Sequence, residues 1–316
     1  MDPARSRRPP NGRERSCDLA VAFVNNMPPT AFDDTERQFL GLVAASAPNA
    51  ATFRRYHLAG RSVENHATQP PEGYLSLEQL YESTPDAVIV TGGTPHPGPV
   101  EDEPSWNELA VLLEWAVSAA RTVIVSCLAA HSALTLFDGL PRRSLPVKQT
   151  GVLRQDVRTR TRMTEGLPPH LPIPQSRYNE VPTDAVDSAG YQVLLASRES
   201  GWTLASKRIG GCDLVLMQGH PEYDASTLLL EYRRDVRRWL EGSTLDLPRL
   251  PIGCAAPADM RRLADYHAGI LRGAPGVKPD FNGIAQRAPG PWLPHARRLY
   301  RNWVRIYSSK DTTRVA

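Results

Sequence analysis

Cys127, His220 and Glu222 are the residues whose types and setting could carry covalent chemistry. Cys127 follows the apolar run Thr122-Val123-Ile124-Val125-Ser126 and precedes Leu128-Ala129-Ala130-His131-Ser132-Ala133-Leu134, a strand pattern that runs straight into the start of a helix. A sharp turn at that junction holds a sulfur out at the end of a strand. A second apolar run, Asp213-Leu214-Val215-Leu216-Met217, leads into Gln218-Gly219-His220-Pro221-Glu222, so an imidazole and a carboxylate lie just beyond another strand. Strand ends at one edge of an open parallel sheet are gathered by the fold, which lets residues far apart in sequence share a site. The three make the parts of a Cys-His-Glu triad. A thiol is mostly protonated at neutral pH, and a nearby imidazole or helix N-terminus raises its thiolate fraction. A carboxylate fixes the tautomer of the histidine it bonds. Acyl transfer through a thioester, hydrolysis and amide cleavage all use such parts. Each piece alone is modest, since a lone cysteine after an apolar strand is more often a small core residue. His131, one helical turn after Cys127, competes as a base, although a helix-face histidine more often packs on its neighbours.

The elements that must position these groups alternate along the chain. Strands are expected over Asp18 to Phe23, Thr52 to Leu58, Ala87 to Val90, Thr122 to Ser126, Gly190 to Leu195, Trp202 to Ser206 and Asp213 to Met217. Helices are expected over Thr35 to Ala45, opened by Asp33, Asp34 or Thr35 as cap, over Ser76 to Glu82, Ser105 to Ala120 and Ala225 to Leu240, and finally His295 to Tyr307. The strands are continuously apolar rather than alternating, as a parallel sheet covered on both faces requires. The fold class is therefore α/β, a mostly parallel sheet flanked by helices. Thr91-Gly92-Gly93-Thr94-Pro95 is a glycine turn whose N–H groups can point at a ligand. Pro141 to Thr183, dense in Pro and Arg, reads as short antiparallel strands and loops laid over the active-site edge. No repeat is apparent.

Composition bounds the function. With 316 residues, 41% of them hydrophobic, the chain can bury one large core. The expected organisation is a disordered basic tail over 1–16 and a single catalytic domain over 17–316, within which 242–316 is a loop-rich extension ending in a helix. The formal charge of +3 owes much to Arg5, Arg7, Arg8, Arg13 and Arg15 in that tail, and gives no case for nucleic acid. No apolar run approaches a bilayer-spanning length, so no membrane partner is expected. Cys17, Cys127, Cys212 and Cys254 are scattered without a Cys-x-x-Cys pair, which fits a reducing, cytoplasmic setting, and neither Cys nor His falls at metal-ligand spacing. The run Arg233, Arg234, Arg237 and Arg238 reads by default as a solvated face.

From about Ala20 to Tyr307 the chain resembles the homoserine O-acyltransferases of methionine biosynthesis, usually called homoserine O-succinyltransferases, whose fold is related to class I glutamine amidotransferases (flavodoxin-like). The segments that carry the resemblance are Gly219-His220-Pro221-Glu222-Tyr223-Asp224-Ala225, followed by Glu231 and Arg234-Asp235, and Pro174-Gln175-Ser176-Arg177-Tyr178. Ile89-Val90-Thr91-Gly92, Thr35-Glu36 with Gln38, Ala205-Ser206-Lys207, Lys148 with Gly151-Val152, and Asn302-Trp303 add to it. The resemblance implies that Cys127 accepts the acyl group of an acyl-coenzyme A co-substrate, succinyl-CoA ahead of acetyl-CoA. His220 is then the general base and Glu222 its orienting partner, while Arg234 binds the carboxylate of the amino-acid acceptor, a role a guanidinium fork suits. Lys148, the first lysine in the chain, and Ser176 match further substrate-binding positions. The resemblance also implies a homodimer and no bound cofactor.

Two departures bear on the activity. The family's early loop carries a lysine that helps stabilise the oxyanion, whereas this chain reads Met27-Pro28-Pro29-Thr30-Ala31-Phe32 and is about two residues longer before Thr35. Losing one oxyanion donor costs roughly two to three powers of ten in rate, so Thr30 or backbone N–H groups must substitute, or the reaction differs. At the position where the family's acyl preference is set, an ungapped reading places His96, which suits either a succinyl carboxylate or a pocket narrowed for acetyl. The residue after Cys127 is Leu128 where the family often has tryptophan. The expected function is O-acyl transfer to homoserine by a ping-pong route. The alternatives are a diverged paralogue acylating another hydroxy amino acid or specialised metabolite, and a catalytically weak amidotransferase-like binding protein.

Overall fold

A computed structural model describes residues 19–48, 50–58, 71–244, 248–274 and 276–308. The basic tail over 1–16 and Cys17 lie outside the described residues. The elements, in chain order, begin with β1 (Leu19–Asn25), α1 (Phe32–Ser46), β2 (Ala51–His57), α2 (Leu77–Tyr81), β3 (Ala87–Val90), α3 (Trp106–Ala119), β4 (Thr122–Ser126) and α4 (Leu128–Asp138). They continue with β5 (Arg143–Val157), β6 (His170–Glu180), α5 (Thr183–Ser188), β7 (Gln192–Ser197), β8 (Gly201–Ile209), β9 (Cys212–Met217), α6 (Thr227–Leu240), α7 (Pro257–Leu271), α8 (Phe281–Gln286) and α9 (Leu293–Ser308).

One sheet runs in the order β2-β1-β3-β4-β9-β8-β7-β5-β6. Its first five strands are parallel and the remaining pairings antiparallel. Register decides where the site falls. Val90 pairs with Val125, and Ser126 pairs with Met217, so β3, β4 and β9 end together and their outgoing segments, Thr91, Cys127 and Gln218, start from one edge.

The central strands are buried on both faces, which is why their sequences are continuously apolar. Alternate residues feed separate layers. Val88, Val90, Val123, Val125, Leu214 and Leu216 pack beneath α3 and α4, and Ile89, Ile124, Val215 and Met217 pack beneath α1 and α9. Each such side chain contributes about 1.5–3 kcal/mol of burial.

Three expectations change. α1 starts at Phe32 with Ala31 as an N-cap that makes no side-chain bond; Asp33 and Asp34 sit in its first turn instead of capping it, where their charge favours the helix dipole. The middle segment forms a long hairpin, β5 with β6, rather than short strands. β5 pairs with β7 only at Asp156 and Val157, and a bulge between Ser144 and Gln149 bends it. Pro172 and Pro174 fit because β6 is the last strand of the sheet, and Pro174 offers its carbonyl outward to the His220 N–H at 2.9 Å. The hairpin thereby folds over the carboxyl edge of the sheet.

The C-terminal segment is more helical than expected. α7 begins with Pro257 at its first turn and buries Leu263, Tyr266 and Ile270. With α8 it forms a third apolar cluster around Leu228, Tyr232 and Phe281. α9 is a full layer of the fold: Trp303 is buried and donates to Thr122 Oγ1 at 3.2 Å, and Asn302 donates to the carbonyls of Met163 and Glu165.

Candidate active site

Cys127 occupies a backbone conformation that side chains rarely adopt, with φ 49° and ψ −106°, between β4 and α4. Its N–H donates to the Met217 carbonyl at 2.7 Å, and its own carbonyl accepts from Ala130 and His131, so both neighbouring elements hold the turn. Strain of this kind persists where the surroundings over-determine it. The turn also places the sulfur at the start of α4, whose opening N–H groups, those of Leu128 and Ala129, have no carbonyl one turn back to bond. Gly92 makes the crowding possible, since a Cβ there would lie 3.2 Å from the Cys127 Cβ and 3.3 Å from the Ser126 carbonyl oxygen.

His220 is set with equal closeness. A Cβ on Gly219 would meet Gln175 Nε2 at 2.6 Å, Thr203 Cγ2 at 2.7 Å and Ile173 Cγ2 at 2.9 Å, so only glycine lets the chain pass between β6 and β8. The buried imidazole stacks on Tyr223, with ring centroids 4.3 Å apart, and its Nδ1 lies 2.7 Å from Glu222 Oε1. Nε2 is buried without a normal hydrogen bond among the described residues, and the Cys127 thiol is close enough to favour the charged ring. Burial works against protonation of His220, yet the Glu222 charge and the neighbouring sulfur outweigh it and raise the pKa well above the ordinary histidine value. In its resting state the site therefore favours a protonated His220.

His131 takes no part in this arrangement. It is fully buried with Nε2 3.0 Å from Gln218 Oε1, and its pKa falls to about 4, through burial first and the charges of Arg177 and Arg142 after it. The packing reading of this histidine holds.

A cavity of about 320 Å³ opens above the triad, and Cys127, His220, Glu222, Lys148, Ser176 and Arg234 all line it. Lys148 on β5 reaches across to α6, with Nζ 3.2 Å from Glu231 Oε2 and 2.9 Å from Asp235 Oδ2. Ser176 on β6 donates to the same Glu231 oxygen at 2.5 Å, and the Tyr223 hydroxyl donates to the other at 2.7 Å. Burial would raise the Glu231 pKa; Lys148 and the two hydroxyl donors overcome it, so the carboxyl is held below its ordinary range. Arg234 bonds Asp235 through Nε and Nη2 and keeps 43% of its side chain exposed, free to meet a second carboxylate. Thr30 lines the cavity from a short 3-10 turn, Pro29–Ala31.

His96 does not join them. Its side chain is exposed and absent from the cavity wall, which Thr94 and Pro95 supply. The cause is Arg142, whose buried guanidinium donates to the carbonyls of His96, Gly98 and Pro99 and sits 2.7 Å from Glu103. Glu103 in turn accepts the His96 N–H at 2.9 Å. This clamp draws the backbone inward and leaves the imidazole in solvent.

Glu231, Tyr223, Arg142 and Arg177 are cavity residues that the sequence did not assign. Glu231 stands three residues before Arg234 on an expected helix, and Arg177 alternates with Gln175 and Asn179 along β6, so periodicity carried a signal for both. Among the described residues no set of three His, Cys, Asp or Glu side chains is placed to hold a metal ion, and no helix is long and apolar enough to cross a membrane.

The chain has recognisable relatives among known proteins. The solved structure of SMU.1228c shares the fold at 12% identity and a TM-score of 0.52, covering 91% of this chain and 99% of that one. A homoserine O-succinyltransferase of Methylorubrum extorquens is 34% identical over 92% of this chain and 88% of its own length, and one of Rhodopseudomonas palustris is 36% identical over 74% and 71%. One from Thiothrix nivea is 32% identical over 94% and 84%. A family model described as homoserine O-succinyltransferase matches residues 12–314, and the chain belongs to the homoserine O-succinyltransferase family.

Proposed function

We propose that this chain is an acyltransferase that moves a succinyl group from succinyl-coenzyme A to the hydroxyl of L-homoserine, in methionine biosynthesis, through a thioester on Cys127. The observation that carries the reading is the strained turn that presents the Cys127 thiol beside an imidazole whose far nitrogen is held 2.7 Å from Glu222. In the first half-reaction the Cys127 thiolate adds to the thioester carbonyl. Collapse breaks the bond to the coenzyme A sulfur, which takes the proton from the His220 imidazolium. Acylation removes the negative sulfur that helped keep the ring charged, so His220 gives up its proton more readily at the stage that needs a base. In the second half-reaction neutral His220 takes the proton of the acceptor hydroxyl, the oxygen attacks the Cys127 thioester, and the thiolate returns. In this reading the opening N–H groups of α4 and the Gly92-Gly93 turn serve the oxyanion in lieu of a lysine, a role supported by their lining the same cavity as Cys127 and Thr30. Arg234 receives the acceptor's carboxylate.

Intact mass after incubation with succinyl- or acetyl-coenzyme A tests the reading. An adduct that Cys127→Ala abolishes is expected, and homoserine should discharge it while serine does not. Discharge by a different hydroxy amino acid would favour the diverged paralogue, a reading to which the lysine-free Met27–Phe32 loop gives some support. No adduct with either donor would reject acyl transfer in favour of a binding protein.

A further inference from the structure

Among the described residues, the cavity wall holds one buried cation that no carboxylate bonds. Lys148 meets Glu231 and Asp235, Arg234 meets Asp235, Arg142 meets Glu103, and Arg238 lies exposed at the mouth. Arg177, 3% exposed, is held by neutral groups: Nη1 donates to Gln175 Oε1 and Nη2 to the Ser200 carbonyl at 2.6 Å. Its Nε is buried with no partner among the described residues. Glu180, whose charge reaches Arg177, is itself bonded to Arg143.

The support beneath Arg177 is likewise neutral and well ordered. Gln175 Nε2 donates to Thr203 Oγ1 at 3.1 Å, Thr203 donates to Gln155 Oε1 at 2.8 Å, and Gln155 Nε2 donates to Ser200 Oγ at 2.8 Å. Such a chain orients the guanidinium without cancelling its charge. A buried charge that no carboxylate bonds is costly, and burial lowers the Arg177 pKa to about 10 even though the Cys127 sulfur and Glu180 oppose it. The arrangement leaves a guanidinium with an uncommitted Nε able to pair with an anion in the wall that also carries the reactive sulfur.

We propose that Arg177 receives the free carboxylate of the succinyl group while that group is carried on Cys127, and so sets the preference for a dicarboxylic donor. The inference rests on the thioester reading above. It moves the anion-recognising role from His96, which faces solvent, to a cation inside the cavity wall.

The experiment measures acylation of Cys127 by rapid-quench mass spectrometry with no acceptor present, so that an amino-acid carboxylate cannot occupy the site. The donors are succinyl-coenzyme A and butyryl-coenzyme A, which has the same chain length and a methyl group in place of the carboxylate. The unchanged protein is expected to favour succinyl by roughly 100-fold in acylation efficiency, and Arg177→Gln to bring the ratio close to one. A ratio that Arg177→Gln leaves unaltered, whatever happens to the two rates, overturns the assignment, as does an unchanged protein with no preference for succinyl. Should Arg177→Gln fail to fold, Arg177→Lys keeps the charge without the planar fork; it is expected to lose most of the ratio, and full retention overturns the proposal. If neither donor marks Cys127 in the unchanged protein, the thioester reading itself fails.

Discussion

A carboxylate at 2.7 Å from Nδ1 leaves His220 a single nitrogen for chemistry, and the charge of that carboxylate is a main reason the ring holds its proton. Glu222→Gln should lower both half-reactions by roughly two to four powers of ten. It should also shift the pH profile of the acceptor half-reaction to lower pH, because burial is then less opposed and the ring loses its proton earlier; single-turnover rates across pH check this. Arg234→Ala should impair discharge of the acyl-enzyme by the amino acid while acylation stays nearly intact, and equal damage to both halves would reject the carboxylate-clamp role. The triad was legible because its histidine and glutamate stand two positions apart just past a strand and its cysteine stands at a strand-to-helix boundary. His96 was misplaced because its orientation is decided by Arg142, a residue 46 positions away. Long-range bonds of that kind leave no trace in local spacing.

At the scale of elements, the site depends on how closely β6 and β8 approach the segment after β9. Gly219→Ala would drive a methyl group to within 3 Å of Gln175, Thr203 and Ile173. Overpacking of this sort costs about 1–3 kcal/mol, so a lower melting temperature is expected together with displaced His220 chemistry. The parallel strands and their helices were readable because apolar runs and helical spacing are local signals. The β5–β6 hairpin was readable only in part: antiparallel strands over the site edge were expected but not their length, since prolines and arginines argue against long strands unless one knows that they form the sheet edge. α7 was hidden for a related reason: Pro257 looks like a breaker and acts as a helix start, while Leu263, Tyr266 and Ile270 carry the helical spacing.

For the whole molecule, acid sensitivity follows from His131. Its folded pKa of about 4 lies below the ordinary 6.5, so below pH 6.5 the unfolded chain binds a proton that the folded chain refuses. This contribution to stability is intact above pH 6.5 and is lost as pH falls toward 4. Denaturant midpoints of a His131→Gln variant should therefore decline less over that window than those of the unchanged protein. The turn at Cys127 has a different consequence for overall stability. Its positive φ is tolerable for glycine and strained for any other residue, so the fold carries a local penalty that serves the sulfur alone. Exchanging that residue for glycine should yield an inert protein that melts later than its alanine counterpart. Selection for durability and selection for turnover would then pull this one position in opposite directions.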